Sequence, residues 1–238
     1  MDYKPKYKRV LLKLSGEALA GTQKGGIDHD VINIIASEIK KCYDLGVEIG
    51  IVVGGGNFWR GRSNSNMDRT KADQIGMLAT VMNALSMADA LEQVGVKARV
   101  QTSIEISGVA ELFTKDKAEH YFKKKKVLIF GGGTGHPFFS TDTAASLRAA
   151  EIEADVILKA SVIDGVYDSD PNKNKGAKKY KSITFSKVLE KKLGVIDSTA
   201  ASMCSDNKIP LLVFSLNDPA NILKAICGED IGTVVNPD

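Results

Sequence analysis

The residues best placed to do chemistry lie where apolar runs stop at glycine. The segments are "KLSGEA" from Lys13, "GGGNFWRG" from Gly54 and "GGGTGHPFFSTD" from Gly131, with "ASVIDGVYDSDP" from Ala160 as a fourth, polar, segment. A glycine turn lets backbone N–H groups approach an anion with no Cβ in the way, and a helix N-terminus behind it adds partial positive charge. One such turn is as readily a tight strand-to-helix connection. Several on one edge can hold two phosphate-bearing ligands face to face, which is the arrangement phosphoryl transfer needs. That reaction asks for in-line positioning and positive charge on the migrating group. Lys13 can supply such charge, or can be a lysine whose stem packs while its head reaches water. Arg60 offers a planar fork for phosphate oxygens, or is a surface arginine. Asp142 reads as a helix N-cap or as the carboxylate that holds Lys13. Asp73 reads as a helix cap or as the acceptor for a ligand hydroxyl. Neither GxxxxGK[ST] nor GxGxxG occurs, which excludes an ordinary P-loop and a dinucleotide fingerprint.

The elements that must position these residues alternate. Lys8–Leu14, Val47–Val53, "KARVQ", "KVLIF", Asp155–Ala160, "PLLVFSL" and "GTVV" read as strands. Helices are expected from Asp28 or Asp30 to Leu45, over about 71–94 with a Thr70/Asp73 capping box, over 115–124, and from about Asp142 to Glu153. Further helices are expected over 185–192, 197–206 and "PANILKAI". Ser161–Lys181 reads as a long polar loop. The alternation predicts an α/β fold, a largely parallel sheet with helices on both faces. No linker divides the chain, so residues 1–238 are expected to form one domain, with a softer division near residue 155.

Composition narrows the function classes. Hydrophobic residues make up 43% and charged residues 26% of the 238, which predicts a soluble globular protein. No apolar run is long enough to span a bilayer, and no signal peptide is read, so no membrane partner is expected. The three cysteines are scattered, which suits a reducing, cytoplasmic setting. No pair of cysteines or of His29, His120 and His136 has metal-ligand spacing, so no protein-held metal is expected. A net charge of +3 with few aromatics among the basic residues does not point to nucleic acid, and the Lys123–Lys126 run reads as a solvated helix C-terminus.

Taken together, "YKRVLLKLSGEAL", "GIVVGGGNFWRG", "QIGMLATVMNALSMADAL", "GGGTGHPFFSTDTAASLRAAEIEADVILKAS" and "DGVYDSDP" resemble the bacterial-type uridylate (UMP) kinases of the amino acid kinase fold family, in order and spacing. The resemblance implies an αβα sandwich, usually a homohexamer, that converts ATP and UMP to ADP and UDP in pyrimidine nucleotide biosynthesis. Mg²⁺ is carried with ATP. By the family's motifs, Lys13, Ser15 and Gly16 face the ATP phosphates. Gly55 meets UMP, with Gly56 and Arg60 near the transferred group. Asp73 contacts the UMP ribose, and Thr134, Gly135, His136, Pro137, Phe138, Phe139, Ser140 and Thr141 form the UMP loop. Ser161, Tyr167 and Asp170 border the adenosine of ATP, Asp142 organises Lys13, and Lys159 adds charge. The first half, to about residue 154, then carries the UMP site and the second the adenosine site. GTP activation and UTP inhibition are placed near Gly21 to Gly26 and around Asp89 and Arg99. Ala88 stands where many members carry arginine, so a weakened GTP response is expected. His136 stands where asparagine is common, and UMP binding is expected to survive with a pH dependence. Two other readings share the fold: a kinase of carboxylate or carbamate acceptors, and a non-catalytic binding or storage protein.

Overall fold

A computed structural model describes residues 3–60 and 67–238. Part of the polar stretch from Arg60 to Arg69, including Gly61 of "GGGNFWRG", therefore lies outside the described residues. The centre of the fold is a nine-stranded sheet. In chain order its strands are β1 (Arg9–Leu14), β2 (Glu48–Val53), β3 (Ala98–Thr102), β4 (Glu111–Leu112), β5 (Val127–Gly131), β6 (Val156–Ser161), β7 (Ser182–Thr184), β8 (Leu211–Ser215) and β9 (Gly232–Asn236). Their spatial order is β4-β3-β5-β2-β1-β6-β8-β9-β7. Every pairing is parallel except β8 with β9. The central strands are nearly continuous runs of Val, Ile and Leu, as expected when both faces are covered.

Among the described residues the helices are α1 (Gly16–Leu19), α2 (His29–Asp44), α3 (Arg69–Gln93), α4 (Lys115–Lys123), α5 (Thr141–Glu151), α6 (Phe185–Glu190), α7 (Ser198–Asp206) and α8 (Asn221–Ile226). Alternate strand residues feed two cores. Val10, Leu12 and Leu14 of β1 pack with α2, α3 and α8, while Leu11 packs with α4, α5, α6 and α7 on the other face. The expected αβα sandwich is therefore present. Lys13 shares its face with Leu11, so its side chain leaves the sheet on the α5 side. The Lys123–Lys126 run sits at the C-terminal end of α4, as read.

Two capping expectations are corrected. Asp68 caps α3 by accepting from Lys71 N, not the Thr70/Asp73 pair, because the Asp73 carboxylate is taken by Arg69 and the backbone of Phe138. Ser140 caps α5, accepting from Asp142 N and Thr143 N, which leaves the Asp142 carboxylate for lysines. The structure adds three short elements to those expected, α1, β4 and β7, all of four residues or fewer.

Candidate active site

β1 lies between β2 and β6, where the chain reverses its direction of travel across the sheet. Ligands of open α/β sheets gather beyond the carboxyl ends of strands at such a reversal. Lys13 of β1 and Lys159 of β6 are direct register partners there, so their side chains project on one face. Asp142, in the first turn of α5, meets both. Lys13 Nζ lies 2.9 Å from its Oδ1 and Lys159 Nζ 2.6 Å from its Oδ2. Lys159 also donates to the carbonyl of Val195 at 2.6 Å. Burial pushes the Asp142 carboxyl up, but the two ammonium groups outweigh it and hold it below the ordinary carboxylate value. Lys159 is pushed down, first by burial and then by Lys13, against the pull of Asp142. Two cations share one anion, which leaves the cluster with a surplus positive charge.

Three depressions meet at this cluster. The first, about 250 Å³, is lined by Lys13, Ser15, Gly16, Gly55, Gly56 and Asp73, with Thr134, His136, Phe139, Ser140 and Thr141 closing it. The second, about 590 Å³, runs from Lys159 and Ser161 past Tyr167 and Asp170 to Leu193. A third, about 300 Å³, touches Lys13, Ser15, Glu17, Arg60, Lys159 and Ser161 and so joins the other two. Lys13 belongs to the first and Lys159 to the second, and Asp142 ties them together.

The glycine turns are packed against each other. A Cβ on Gly16 would come within 2.5 Å of Gly56 N, and one on Gly55 within 2.9 Å of both Ala79 Cβ and Gly76 O. Below them Asn57 and Asn83 exchange amide hydrogen bonds, and Asn83 also donates to the Gly54 carbonyl at 2.7 Å. Ser15 caps α1 through Ala18 N. Arg60 is exposed and reaches Glu17 at 2.6 Å. Asp73 Oδ2 accepts from Arg69 Nε and from Phe138 N, both at 2.8 Å. It thereby ties α3 to the loop after β5. Phe138 holds a positive φ of 73°, and the Arg69 guanidinium lies over its ring.

Gly135, Pro137 and Phe138 shape the loop without lining the first cavity. Phe138 and Phe139 are exposed, so ordinary core packing does not account for the pair. Tyr167 donates to Asp164, and Asp170 accepts from Asn172 N, so both are held within the loop after β6. The residues expected to serve control are not gathered in one place. Gly21 and Gly26 turn the segment after α1, where Gly26 N donates to Asn57 O. Arg99 lies in a separate cavity of about 380 Å³ with Leu85, Ala88, Glu92 and Glu111. Asp89, outside it, accepts from Gln93. Among the described residues no group of three His, Cys, Asp or Glu could hold a metal, and no helix is long and apolar enough to cross a membrane.

Sequence reasoning missed Glu17 and Asp197. Asp197 caps α7 and also accepts from Ser140 Oγ and from Thr143 Oγ1, the latter at 3.1 Å, so one carboxylate fastens the starts of α5 and α7. A carboxylate just before a predicted helix signals a cap, and nothing in the local sequence reveals its second partner.

The family model described as the Amino acid kinase family matches residues 8–215. The fold is similar to that of a UMP kinase from Bacillus anthracis, with 39% identity, 99% of this chain and 98% of that chain covered, and a TM-score of 0.94. It is similar to a UMP kinase from Ureaplasma parvum at 37% identity, with 97% and 99% covered and a TM-score of 0.92. A uridylate kinase from Archaeoglobus fulgidus aligns at 29% identity over 95% and 99% of the two chains, with a TM-score of 0.73. With that match spanning most of a sheet whose carboxyl edge gathers glycine turns around a lysine cluster, the chain belongs to the amino acid kinase family.

Proposed function

We propose that this protein is a UMP kinase, transferring the γ-phosphoryl group of ATP to UMP to give ADP and UDP in the synthesis of pyrimidine nucleotides. The observation that carries the assignment is the Lys13–Asp142–Lys159 cluster, standing where two cavities meet in a chain this similar to UMP kinases. Lys13, Ser15, Gly16 and Gly56 with Arg60 take the ATP phosphates, and Ser161, Tyr167 and Asp170 border its adenosine. Gly55, Asp73 and the Thr134–Thr141 loop take UMP. The first cavity is lined by residues up to 141 and the second by residues from 159 onward, which supports an acceptor half to about 154 and an adenosine half over 155–238.

Catalysis is electrostatic. The UMP phosphate oxygen is already anionic and needs no general base. Lys13 and Arg60 stabilise charge on the group in flight, while Asp142 fixes Lys13 and keeps Lys159 beside it. Both Asp142 oxygens face lysines, so a divalent cation is not expected on that carboxylate. Mg²⁺ enters as part of the MgATP substrate and neutralises phosphate charge.

The exposed apolar residues Ile75, Leu78, Met82 and Leu85 along α3 support association of copies, up to a homohexamer. A cytoplasmic setting, activation by GTP and inhibition by UTP complete the proposal, with Ala88 weakening the GTP response. Steady-state UDP formation from UMP and MgATP tests the assignment, run with and without GTP and UTP and against CMP, aspartate and acetylglutamate. Phosphorylation of an amino acid in place of UMP would overturn it.

A further inference from the structure

Arg148 of α5 is a buried cation that the chemistry above does not use. It is 4% exposed. Its guanidinium lies 3.9 Å over the Phe113 ring, pairs with Glu151, and donates through Nη2 to Ser103 Oγ at 2.7 Å. The Ser103 hydroxyl donates onward to the Gly133 carbonyl at 2.6 Å. Ser103 also donates its own N–H to Gly131 O at 3.1 Å, and its carbonyl sits where a Cβ on Gly135 would come within 2.9 Å. On the opposite flank Thr80 Oγ1 accepts from Gly132 N at 2.8 Å. The turn after β5 is therefore gripped from both sides, and one grip ends in a buried charge.

We propose that Arg148, acting through Ser103, is a positioning residue that sets the Gly133–Thr134 peptide for the acceptor nucleotide. The peptide is planar and trans, so its C=O and N–H point in opposite directions. With the Gly133 carbonyl held toward Ser103, the Thr134 N–H points away from it, where Gly133 and Thr134 line the first cavity. Among the described residues that N–H has no protein acceptor. A cation donating to a hydroxyl polarises it and strengthens its own donation, so the charge makes the Ser103–Gly133 bond firmer than a lone serine would. Leaving a buried guanidinium behind a neutral turn then has a purpose that packing alone does not supply.

The kinetic part of the test rests on the UMP kinase assignment, and the exchange part does not. Ser103→Ala is expected to raise the KM for UMP about five- to tenfold, the worth of one hydrogen bond, with the KM for ATP within about twofold of native. Arg148→Met keeps an apolar stem in place of the arginine's, removes the guanidinium that donates to Ser103, and is expected to act in the same direction. The double variant should be no worse than the poorer single one, because both cut the same chain. In the ligand-free proteins, amide exchange should quicken over residues 132–136 and not elsewhere. Unchanged exchange there in Ser103→Ala, or an equal rise in both KM values, overturns the inference. Failure of the native protein to phosphorylate UMP would overturn the functional assignment instead, and exchange would still decide this one.

Discussion

Lys13→Met separates the catalytic from the structural part of the lysine cluster. Methionine keeps the apolar stem and removes only the ammonium group. The native cluster carries two lysines and one aspartate, a net of +1, and the variant falls to zero. A unit charge about 4 Å from a phosphoryl oxygen is worth about 4 kcal/mol at an effective dielectric constant of about 20. Only the part that grows in the transition state accelerates the reaction. A loss of about 10²–10³ in kcat follows, the size seen when one preorganised donor is removed. Stability should change by no more than about 1 kcal/mol, because Asp142 keeps Lys159 at 2.6 Å and is not left unpaired. The KM for UMP should stay within about threefold of native, since the interaction is made mainly in the transition state. Coupled ADP release with a parallel thermal melt reads all three quantities. Turnover within tenfold of native, or a loss confined to the KM for UMP, would refute the role given to Lys13.

Asp142→Asn should behave in the opposite sense, costing about 3 kcal/mol at neutral pH by leaving two buried lysines facing a neutral amide. Because the folded carboxyl lies below its ordinary 3.8, its contribution is complete above that value and is lost as pH falls through the lowered one. The stability gap between native and variant, from urea melts, should therefore close only below about pH 4. Asp73→Asn should raise the KM for UMP about tenfold, the worth of a charge-assisted hydrogen bond, because it weakens the hold on Phe138 N as well as the ribose contact. Gly55→Ala should destabilise by about 1–3 kcal/mol, its Cβ meeting a helix carbonyl at 2.9 Å. Gly56→Ala should melt near native, because its Cβ meets only the end of the flexible, half-exposed Glu17, but it should lose activity by moving Glu17 off Arg60. Ala88→Arg places a guanidinium in the cavity beside Arg99 and should strengthen the rate response to GTP in the same ADP-release assay.

The sheet and its glycine turns were legible because each strand is a local apolar run and each turn a local cluster of glycine. Lys13 stood out for the same reason, a polar residue in an apolar strand. Its partnership with Asp142 had to come from family resemblance, since 129 positions separate them and local sequence offers a helix cap as readily. Lys159 could be located on a strand, but its place beside Lys13 depends on β6 returning next to β1, a pairing no single strand encodes. The Thr70/Asp73 capping box failed for a related reason. Both residues have capping chemistry, but Arg69 and the distant Phe138 N offer Asp73 more than its own helix does. The chain from Arg148 to Gly133 joins three elements and leaves no trace in any one of them.

The outermost strands of the sheet are its shortest, β4 with two residues and β7 with three. A long bare edge presents a row of unpaired N–H and C=O groups and is a template for adding further strands, including those of misfolded neighbours. Here the outermost strands themselves offer only two and three residues of that template. Nine strands can then be stacked without an invitation to fibrous growth. The association of copies proposed above then rests on side-chain surfaces such as the exposed apolar residues of α3, where shape and not backbone pairing selects the partner.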